Sequence, residues 1–415
     1  MDFWRNYLEK LSKINRNCKL LLYFLFITST SSSIIFLLLN LFLLEAGFSK
    51  ENIALFNSIN FLGSGLTAIP LALLLENIPR KYPFIGAAFM LLLTLFGVCF
   101  TRNFFLLCIL AFLAGMASSI FNVLVLPFLT ENSTKEERVH LFSLFSAQGW
   151  ASSMLGSFIG GFLPALAAGV FSSLGSAWNY RASILLAIFV SFLSLIILFF
   201  IREKPRTVTG SKDADSFPEI SYNVNGAMPK FLLVELIIFL GAGLFMPFMN
   251  LYFSSALKVS SESIGVVFTV ASGVALAGTI LSPVLAEKMG KIRATFLCQA
   301  LSIPMLVGLG LVTNFYAASL LYIFRLALMN MSNPLLDSFG MEIVSPKRRA
   351  TFASMMRTTQ PLAWAAMGPV AGFIMERYGF APLFFAASGL YLLSSFTLLG
   401  FFGRAERAHL KQGAG

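Results

Sequence analysis

The sequence predicts an all-α integral membrane protein in which twelve transmembrane helices form two six-helix bundles, the second a parallel repeat of the first. Three observations lead to this fold class. Of the 415 residues, 57% are hydrophobic and only 12% are charged, whereas a soluble domain has about 25% charged residues. The apolar residues form long runs, and polar features recur at an offset of 211 residues. With 45 Phe and only 4 Cys, the composition also excludes a disordered chain and a disulfide scaffold.

The chain divides into twelve apolar stretches that are long enough to cross a bilayer. A spanning helix needs about 20 mainly apolar residues, and Gly or Pro inside it is tolerated because neighbouring helices satisfy the freed backbone groups. The alternating segments of about ten residues that are typical of a membrane β-barrel are not evident. The predicted helices are 20–44, 52–75, 83–101, 104–129, 141–164, 182–201, 230–253, 263–286, 295–312, 315–340, 350–374 and 381–403.

The first helix is predicted to be retained rather than cleaved as a signal peptide. The apolar region of a signal peptide has about 7–15 residues and ends at small residues, but this run is longer and ends in EAG at 45–47. Residues 1–19 before it place several apolar side chains near one face of a basic helix. That pattern favours a segment lying on the cytoplasmic surface of the membrane, and a frayed tail is the alternative.

The basic residues predict the orientation of the helices. With twelve spans both termini lie on the same side, and 23 of the 30 Lys and Arg residues fall on that side. Loops rich in Lys and Arg stay in the cytoplasm. The sequence therefore predicts a multi-pass protein of the cell (inner or plasma) membrane with both termini cytoplasmic. The formal net charge of +11 reflects this topology, so no nucleic-acid partner is expected.

An internal repeat organises the chain. At the offset of 211, Asn103 aligns with Asn314, and Asn122 with Asn333, while Glu131 and Arg138 align with acidic and basic partners at 342 and 349. Shared Leu and Phe content does not produce such polar matches. The predicted parts are a cytoplasmic interfacial segment 1–19, an N-terminal bundle 20–201, a polar linker 202–228, a C-terminal bundle 229–403 and a cytoplasmic tail 404–415.

These features resemble the major facilitator superfamily over about residues 20 to 403. The run PVLAEKMGKIR at 283–293 is similar to the family's G-x-L-x-D-R-x-G-R-R loop, although the leading Gly is absent. Glu131 with Arg138, and Glu342 with Pro346 and Arg349, resemble its E-x3-P-x2-R signature. The resemblance implies a transporter fold but leaves the substrate open.

Two glycine-containing runs resemble a pattern of drug/proton antiporters in this superfamily. GSFIGG at 156–161 and GPVAG at 368–372 are similar to the G-P-x-x-G-G motif of their fifth helix, but the fifth-helix copy lacks the Pro. In physical terms, small residues at this spacing predict close helix packing.

Charged residues at the cytoplasmic helix ends are predicted to form a gate. Opposite charges stand next to each other at corresponding places in the two halves, and such pairs can latch the cytoplasmic side in one state and break in the other. The alternative is solvated loop charges that contribute about 0–1 kcal/mol each. The gate residues are Glu76, Arg80, Glu131, Arg138, Glu287, Lys291, Glu342 and Arg349.

Four ionisable residues lie inside the predicted spans, all in the second half. Charge at membrane depth is rare and indicates function. Glu235, Asp337 and Arg357 fall near one level, towards the cytoplasmic side. Both His residues lie in predicted loops, so a coupling proton must bind a carboxylate, whose neutral form is favoured by burial. Glu235 and Asp337 are the candidates, and permanent pairing of both with Arg357 is the alternative.

Arg325 is predicted near mid-membrane, where the sequence identifies no carboxylate at its level. An arginine on a cavity-lining helix favours an anionic group on a substrate; a structural arginine bonded to carbonyls or amides is the alternative. Other polar side chains predicted to line the substrate cavity are Asn122, Gln148, Asn330, Asn333 and Gln360. The hydroxyl run TSTSSS at 28–33 permits either close helix contact or a wet cavity wall.

No metal-ligand spacing, phosphate-binding loop or dinucleotide motif is present, so neither an enzyme nor an ATP-driven pump is predicted. The sequence predicts a secondary active transporter of a small solute that works by alternating access, is proton-coupled and exports amphipathic or drug-like compounds. Uptake or exchange of an organic anion or other metabolite is the alternative, and a non-transporting receptor or lipid scrambler is the rival from another class. The expected partners are a small-molecule substrate, a proton or other ion gradient and membrane lipids, with a monomeric chain and no cofactor or metal.

Overall fold

The computed structural model describes residues 15–75, 78–171, 173, 175–202, 224–345 and 348–412. These residues are almost entirely helical and contain no β-strand. The long helices are α1 Arg16–Glu45, α2 Lys50–Leu74, α3 Lys81–Phe100, α4 Phe104–Glu131, α5 Lys135–Val170, α6 Ser176–Phe199, α7 Val224–Gly243, α8 Ser261–Met289, α9 Lys291–Leu311, α10 Phe315–Glu342, α11 Arg349–Tyr378 and α12 Ala381–Gln412. The predicted all-α membrane fold is confirmed.

Eleven helical segments of the described chain are long and apolar enough to cross a membrane. One of them, Gly226–Ala256, joins most of α7 to the short helical turns that follow it. The helix outside this set is α11, which has 30 residues and contains Arg357 and the polar run TTQ at 358–360. Most of the predicted segment 1–19 and linker 202–228 lies outside the described residues, and the predicted tail 404–415 continues α12 as a helix to Gln412.

The 211-residue repeat appears in the helix bounds and in the caps. Helices α4 and α10 both have 28 residues and begin after Asn103 and Asn314. The side-chain oxygen of each asparagine accepts hydrogen bonds of 2.9 and 3.2 Å from the second and third backbone N–H groups beyond it. An asparagine cap satisfies donors that have no partner within the helix. The same local chemistry therefore starts the same helix in each half.

Helices α1 and α7 occupy equivalent places in the repeat but differ in continuity. Helix α1 runs for 30 residues without interruption. Helix α7 stops at Gly243, and the chain continues as a 3₁₀ turn Met246–Phe248, an α turn Met249–Leu251 and a π turn Tyr252–Ala256. Phe245, at the break, has φ of −135°, which is outside the helical range. A discontinuous helix of this kind is typical of transporter sites at membrane depth.

The chain divides into two compact units. The first contains residues 1–46 and 62–208, and the second contains 47–61 and 209–415. In the first unit α1 packs against α5 and α6, and α3 packs against α4 and α6. In the second unit α10 packs against α8 and α9, while α7 packs against α11 and α12. The predicted parts place residues 47–61 in the N-terminal bundle, whereas grouping by contacts places them in the second unit.

Both glycine-containing runs lie where two helices approach closely. In the first unit, a Cβ atom at Gly156 of α5 would overlap the Thr30 carbonyl oxygen and lie 2.5 Å from the Cβ of Ser33. In the second unit, Gly372 of α11 lies against α2, where a Cβ would be 2.7 Å from the Cβ of Ala54. The glycines allow contacts between helix backbones that any side chain would obstruct.

Candidate functional site

Three of the four predicted intramembrane charges form a chain across the second unit. Glu235 of α7 is buried with 5% exposure, and one of its carboxyl oxygens has no hydrogen-bond partner. Asp337 of α10 is close enough to repel the Glu235 carboxyl, and Arg357 of α11 is close enough to attract Asp337. Asp337 and Arg357 are exposed. Glu235 is the buried member of the three, and their role in proton coupling stays a prediction.

The Glu235 carboxyl is isolated in its surroundings. Among the described residues it forms neither a hydrogen bond nor an ion pair, and Phe231 and Val234 beside it on α7 are fully buried. A buried carboxylate without a hydrogen-bonding partner is costly, and the carboxyl group avoids this cost when it carries a proton. The permanent ion pairing considered as an alternative is not seen at Glu235 in the described residues.

Arg325 of α10 lies in the interior of the second unit and is 2% exposed. Its guanidinium donates to the Tyr391 hydroxyl and, at 2.8 Å, to the Met246 sulfur. The guanidinium carbon lies 4.6 Å from the ring centre of Phe245 and 5.2 Å from that of Tyr391. Aromatic faces attract a cation, so these groups stabilise the charge although no carboxylate of the described residues pairs with it.

This environment differs from the cavity-facing position predicted for Arg325. Side chains of the interruption after α7 and of α12 enclose the guanidinium, so in this structure it is not open to a solute. Both Phe245 and Met246 belong to the interruption after α7, and Arg325 therefore joins that interruption to α10 and α12. A contact between Arg325 and a substrate stays a prediction.

Replacing Arg325 should destabilise the second unit. In Arg325→Ala, loss of a buried side chain leaves a cavity and removes the partner of the Tyr391 hydroxyl. We expect the free energy of unfolding to fall by about 2–5 kcal/mol. Tyr391→Phe removes only one hydrogen bond and should cost about 1–2 kcal/mol. Thermal unfolding of both purified variants checks the order, and an Arg325→Ala variant as stable as the native chain would contradict the structural role.

The predicted cavity side chains of the second unit lie on α10 and α11. Asn330 is half-buried and donates to the Leu326 carbonyl at 2.9 Å, so its amide bonds to its own helix. Asn333 and Gln360 are exposed. With Asp337 one turn further along α10, they give the second unit an exposed polar stripe beside the charges.

The first unit contains a pocket of about 180 Å³ between α1, α3, α4 and α6. Asn122 of α4, predicted as a cavity residue, is part of its lining, and Gln148 of α5 is half-buried outside it. The hydroxyl run of α1 contributes Thr28, Ser29 and Ser32. The sequence left two interpretations of this run open, and the structure places three of its six residues on a cavity wall.

Some lining residues of this pocket escaped the sequence analysis. Ser118 of α4 and Ser191 of α6 carry no charge and lie in ordinary apolar helices, so nothing in the sequence distinguishes them from packing serines. Only the topology, which brings four helices together, reveals them. The same holds for Tyr391, whose role depends on Arg325 from another helix.

The predicted gate charges form repeat-related pairs within each unit. Arg80 donates to Glu131 at 3.1 Å, and Lys291, its equivalent at the offset of 211, pairs with Glu342. Arg138 donates to the Thr130 carbonyl at 3.2 Å. In the second unit Arg349 donates to the equivalent Met341 carbonyl at 3.0 Å.

The sequence grouped Glu76 and Glu131 with Arg80, Lys81 and Arg138, and Glu287 and Glu342 with Lys291 and Arg349. In the structure the carboxylates of Glu131 and Glu342 pair with the basic residue before or at the start of α3 and α9. Arg138 and Arg349 bond to carbonyls at the ends of α4 and α10. Glu287 is exposed and has no ion pair among the described residues, and Glu76 lies outside them.

The two equivalent ion pairs should differ in strength. The Arg80 side chain is 8% exposed, whereas those of Lys291 and Glu342 are 31% and 38% exposed. Removing the carboxylate in Glu131→Gln leaves a buried guanidinium, so we expect a loss of about 1–3 kcal/mol in unfolding free energy. The matched variant Glu342→Gln should lose about 0–1 kcal/mol. Thermal unfolding side by side measures both, and equal losses would contradict the argument from burial.

The described residues contain no group of three or more His, Cys, Asp or Glu side chains arranged to hold a metal ion. The four cysteines, Cys18, Cys99, Cys108 and Cys298, are free thiols.

Two repeated six-helix units, apolar spanning helices and buried charge define a multi-pass membrane transporter, not an enzyme. The chain belongs to the Major Facilitator Superfamily, whose model matches residues 20–366 and 231–414. The resemblance noted from the loop motifs is thus confirmed. No curated protein shows a significant sequence match to the chain.

Solved structures of transporters share this fold. A bacterial homologue of the iron transporter ferroportin has a TM-score of 0.74 at 13% identity, covering 93% of this chain and 98% of its own. The nucleoside transporter NupG has a TM-score of 0.73 at 12% identity, with 93% and 99% covered. A bacterial homologue of the human lysosomal transporter Spinster has a TM-score of 0.69 at 16% identity, with 94% and 95% covered.

Proposed function

We propose that this protein is a secondary active transporter that moves a small solute by alternating access and couples this movement to protons. The two units supply the repeated halves that alternating access requires. Proteins of the same fold include a nucleoside transporter, a bacterial homologue of the iron transporter ferroportin and a bacterial homologue of the human lysosomal transporter Spinster. This diversity shows that the fold alone does not select a substrate.

The observation that supports proton coupling is the Glu235 carboxyl, buried and without a hydrogen-bond partner. Its interaction with the exposed Asp337 connects it to a surface from which a proton can arrive. Arg357 attracts Asp337 and adds a positive charge to this cluster. A proton bound at Glu235 removes a buried charge, and its release restores the repulsion between the two carboxylates. Protonation therefore changes the energy of this cluster.

A solute without net charge is the substrate class that the first unit favours. No residue lining its pocket is ionisable. The pocket has apolar walls and hydroxyl groups, so it suits an amphipathic compound. We propose that such compounds are exported.

The cytoplasmic gate at Glu76, Arg80, Glu131 and their equivalents stays part of this proposal. Its pairs in the described residues lie within each unit, so a gate would require new pairing between units.

An organic anion is the alternative substrate, and Arg325 is the observation that favours it. The guanidinium has unused N–H donors and no carboxylate partner in the described chain. Binding an anion there would require Phe245 or Tyr391 to move. The human organic anion transporter MFSD10 shares the fold, with a TM-score of 0.60 at 16% identity.

Counterflow in proteoliposomes tests the proposed function. Vesicles holding the purified chain are loaded with uridine, ethidium or benzoate, and uptake of the same labelled compound is measured with and without an inward-acid pH gradient. We expect vesicles that contain the protein to take up a neutral or amphipathic compound faster than empty vesicles do. We also expect this uptake to depend on the pH gradient. No uptake of any class, or lipid movement between leaflets instead, would identify a receptor or a scrambler and overturn the proposal.

A further inference from the structure

The lining of the first-unit pocket includes none of the charges that the proposed mechanism uses. Its walls come from four helices of one unit, α1, α3, α4 and α6. The sequence has no ionisable residue inside the predicted spans of this half. A ligand that enters the pocket therefore meets no ion pair and leaves its own charge, if it has one, outside.

Four polar side chains face this pocket without hydrogen-bond partners. The hydroxyls of Ser29, Ser32 and Ser191 and the carboxamide of Asn122 make no hydrogen bond to other described residues. Ser191 is 6% exposed, Ser29 is half-buried, and Ser32 and Asn122 are exposed. These groups are thus available to something that fills the cavity.

Two further hydroxyls of the lining are already used. Thr28 donates to the Phe24 carbonyl at 2.9 Å, and Ser118 donates to the Ala114 carbonyl at 3.0 Å. Their oxygens can still accept a hydrogen bond. The pocket therefore offers free donors and acceptors on three of its four helices, α1, α4 and α6, rather than a uniformly apolar surface.

The volume of the first-unit pocket and its apolar and aromatic lining residues favour a ligand with a single ring. A cavity of about 150 Å³ lined by apolar side chains accommodates benzene, and this pocket of about 180 Å³ is slightly larger. Phe121 lines the pocket, and its ring stacks with those of Phe24 and Phe84 at centroid distances of 6.0 and 5.7 Å. The edge of an aromatic ring held in a fixed orientation favours an edge-to-face contact with a flat ring over contact with a flexible chain.

The carboxamide of Asn122 specifies the edge of that ring. Its N–H donor and C=O acceptor are neighbours. A carboxamide can therefore form two hydrogen bonds at once with a ring edge on which an acceptor and a donor are also neighbours. We propose that the first-unit pocket binds an uncharged heterocyclic ring with a lactam-type edge, in which N–H and C=O are neighbours. The proposal rests on the transporter function above and names the part of the substrate that this unit recognises.

Thermal unfolding of the full chain in lipid nanodiscs, with uracil as the probe, tests the proposal. Uracil is an uncharged ring with the required edge, and a ligand that binds only the folded state raises the unfolding temperature. N,N′-dimethyluracil keeps the ring but has no N–H donor, so it serves as the matched probe. We expect it to need at least a tenfold higher concentration for the same shift.

Variants locate the site. Asn122→Leu removes the paired donor and acceptor and should weaken uracil binding about 10- to 100-fold. Ser191→Leu fills the pocket from the opposite wall and should abolish binding, which keeps the test open if Asn122→Leu fails to fold. Thr30→Ala is the control, because Thr30 lies on α1 beside the lining residues but donates to the Phe26 carbonyl and is not part of the lining. It should bind uracil as the native chain does.

Equal shifts with uracil and N,N′-dimethyluracil, or native affinity in both Asn122→Leu and Ser191→Leu, would overturn the proposal. So would the absence of any shift with uracil. If counterflow of another solute continues in that case, the transporter function stands and only the ring site fails. If uracil binds but no solute shows counterflow, the ring site stands and the transport function fails.

Discussion

Glu235→Gln should abolish gradient-driven accumulation of the substrate while leaving its exchange intact. Glutamine fills the same volume as a protonated glutamate but cannot release a proton, so the cluster stays in one protonation state. We expect accumulation under an imposed pH gradient to fall more than tenfold, with counterflow at equal pH within about twofold of the native chain. Both are measured in the same proteoliposome preparation, with the substrate that the counterflow panel identifies.

The matched control is Glu376→Gln at the end of α11. That carboxylate accepts a hydrogen bond from the Lys50 backbone N–H at 2.9 Å and lies outside the coupling cluster. A glutamine oxygen can accept the same bond, so coupling should be unchanged. If Glu235→Gln and the double variant with Asp337→Asn both accumulate substrate as the native chain does, neither carboxyl carries the coupling proton.

Gly156→Leu should prevent the first unit from folding. A Cβ at this position meets the backbone of α1 and the Cβ of Ser33, at 2.5 Å, and neither can move without separating the helices. Overpacking usually costs about 1–3 kcal/mol, and more when backbone must shift. We expect a loss above about 3 kcal/mol, which is a large part of a typical stability of about 5–15 kcal/mol.

Gly169→Leu on the same helix is the control, because nothing lies within 4 Å of a Cβ built there. Its yield and unfolding temperature in detergent should match those of the native chain, whereas Gly156→Leu should give little folded protein. A stable, monodisperse Gly156→Leu variant would show that α1 and α5 are not in the close contact described.

The fold was predictable from sequence because its signals are local or periodic. Apolar runs mark the spans, and the offset of 211 relates Asn103 to Asn314 and Arg80 to Lys291. These matches reappear as identical caps and equivalent ion pairs. The interruption after α7 was not predicted, although Gly243 and Pro247 stand at it, because Gly and Pro also occur within continuous spanning helices.

The candidate site was only partly predictable. Charge stands out in an apolar helix, so Glu235, Asp337 and Arg357 were identified from the sequence, and the structure adds that Glu235 is buried and the other two are exposed. Arg325 was also found, but its surroundings depend on Tyr391, which is 66 residues away in the chain. The unpaired hydroxyl of Ser191 carries no sequence signal, because an intramembrane serine usually bonds to its own helix. Charge is visible in sequence, whereas the absence of a partner is visible only in three dimensions.

Proton release on substrate binding tests the central claim most directly. Purified protein in weakly buffered detergent solution is mixed with the transported substrate, and a pH-sensitive dye reports the protons exchanged. The account predicts about one proton exchanged per substrate bound by the native chain and by Glu376→Gln, and none by the Glu235→Gln, Asp337→Asn double variant. A double variant that binds substrate and exchanges the same number of protons as the native chain would contradict it.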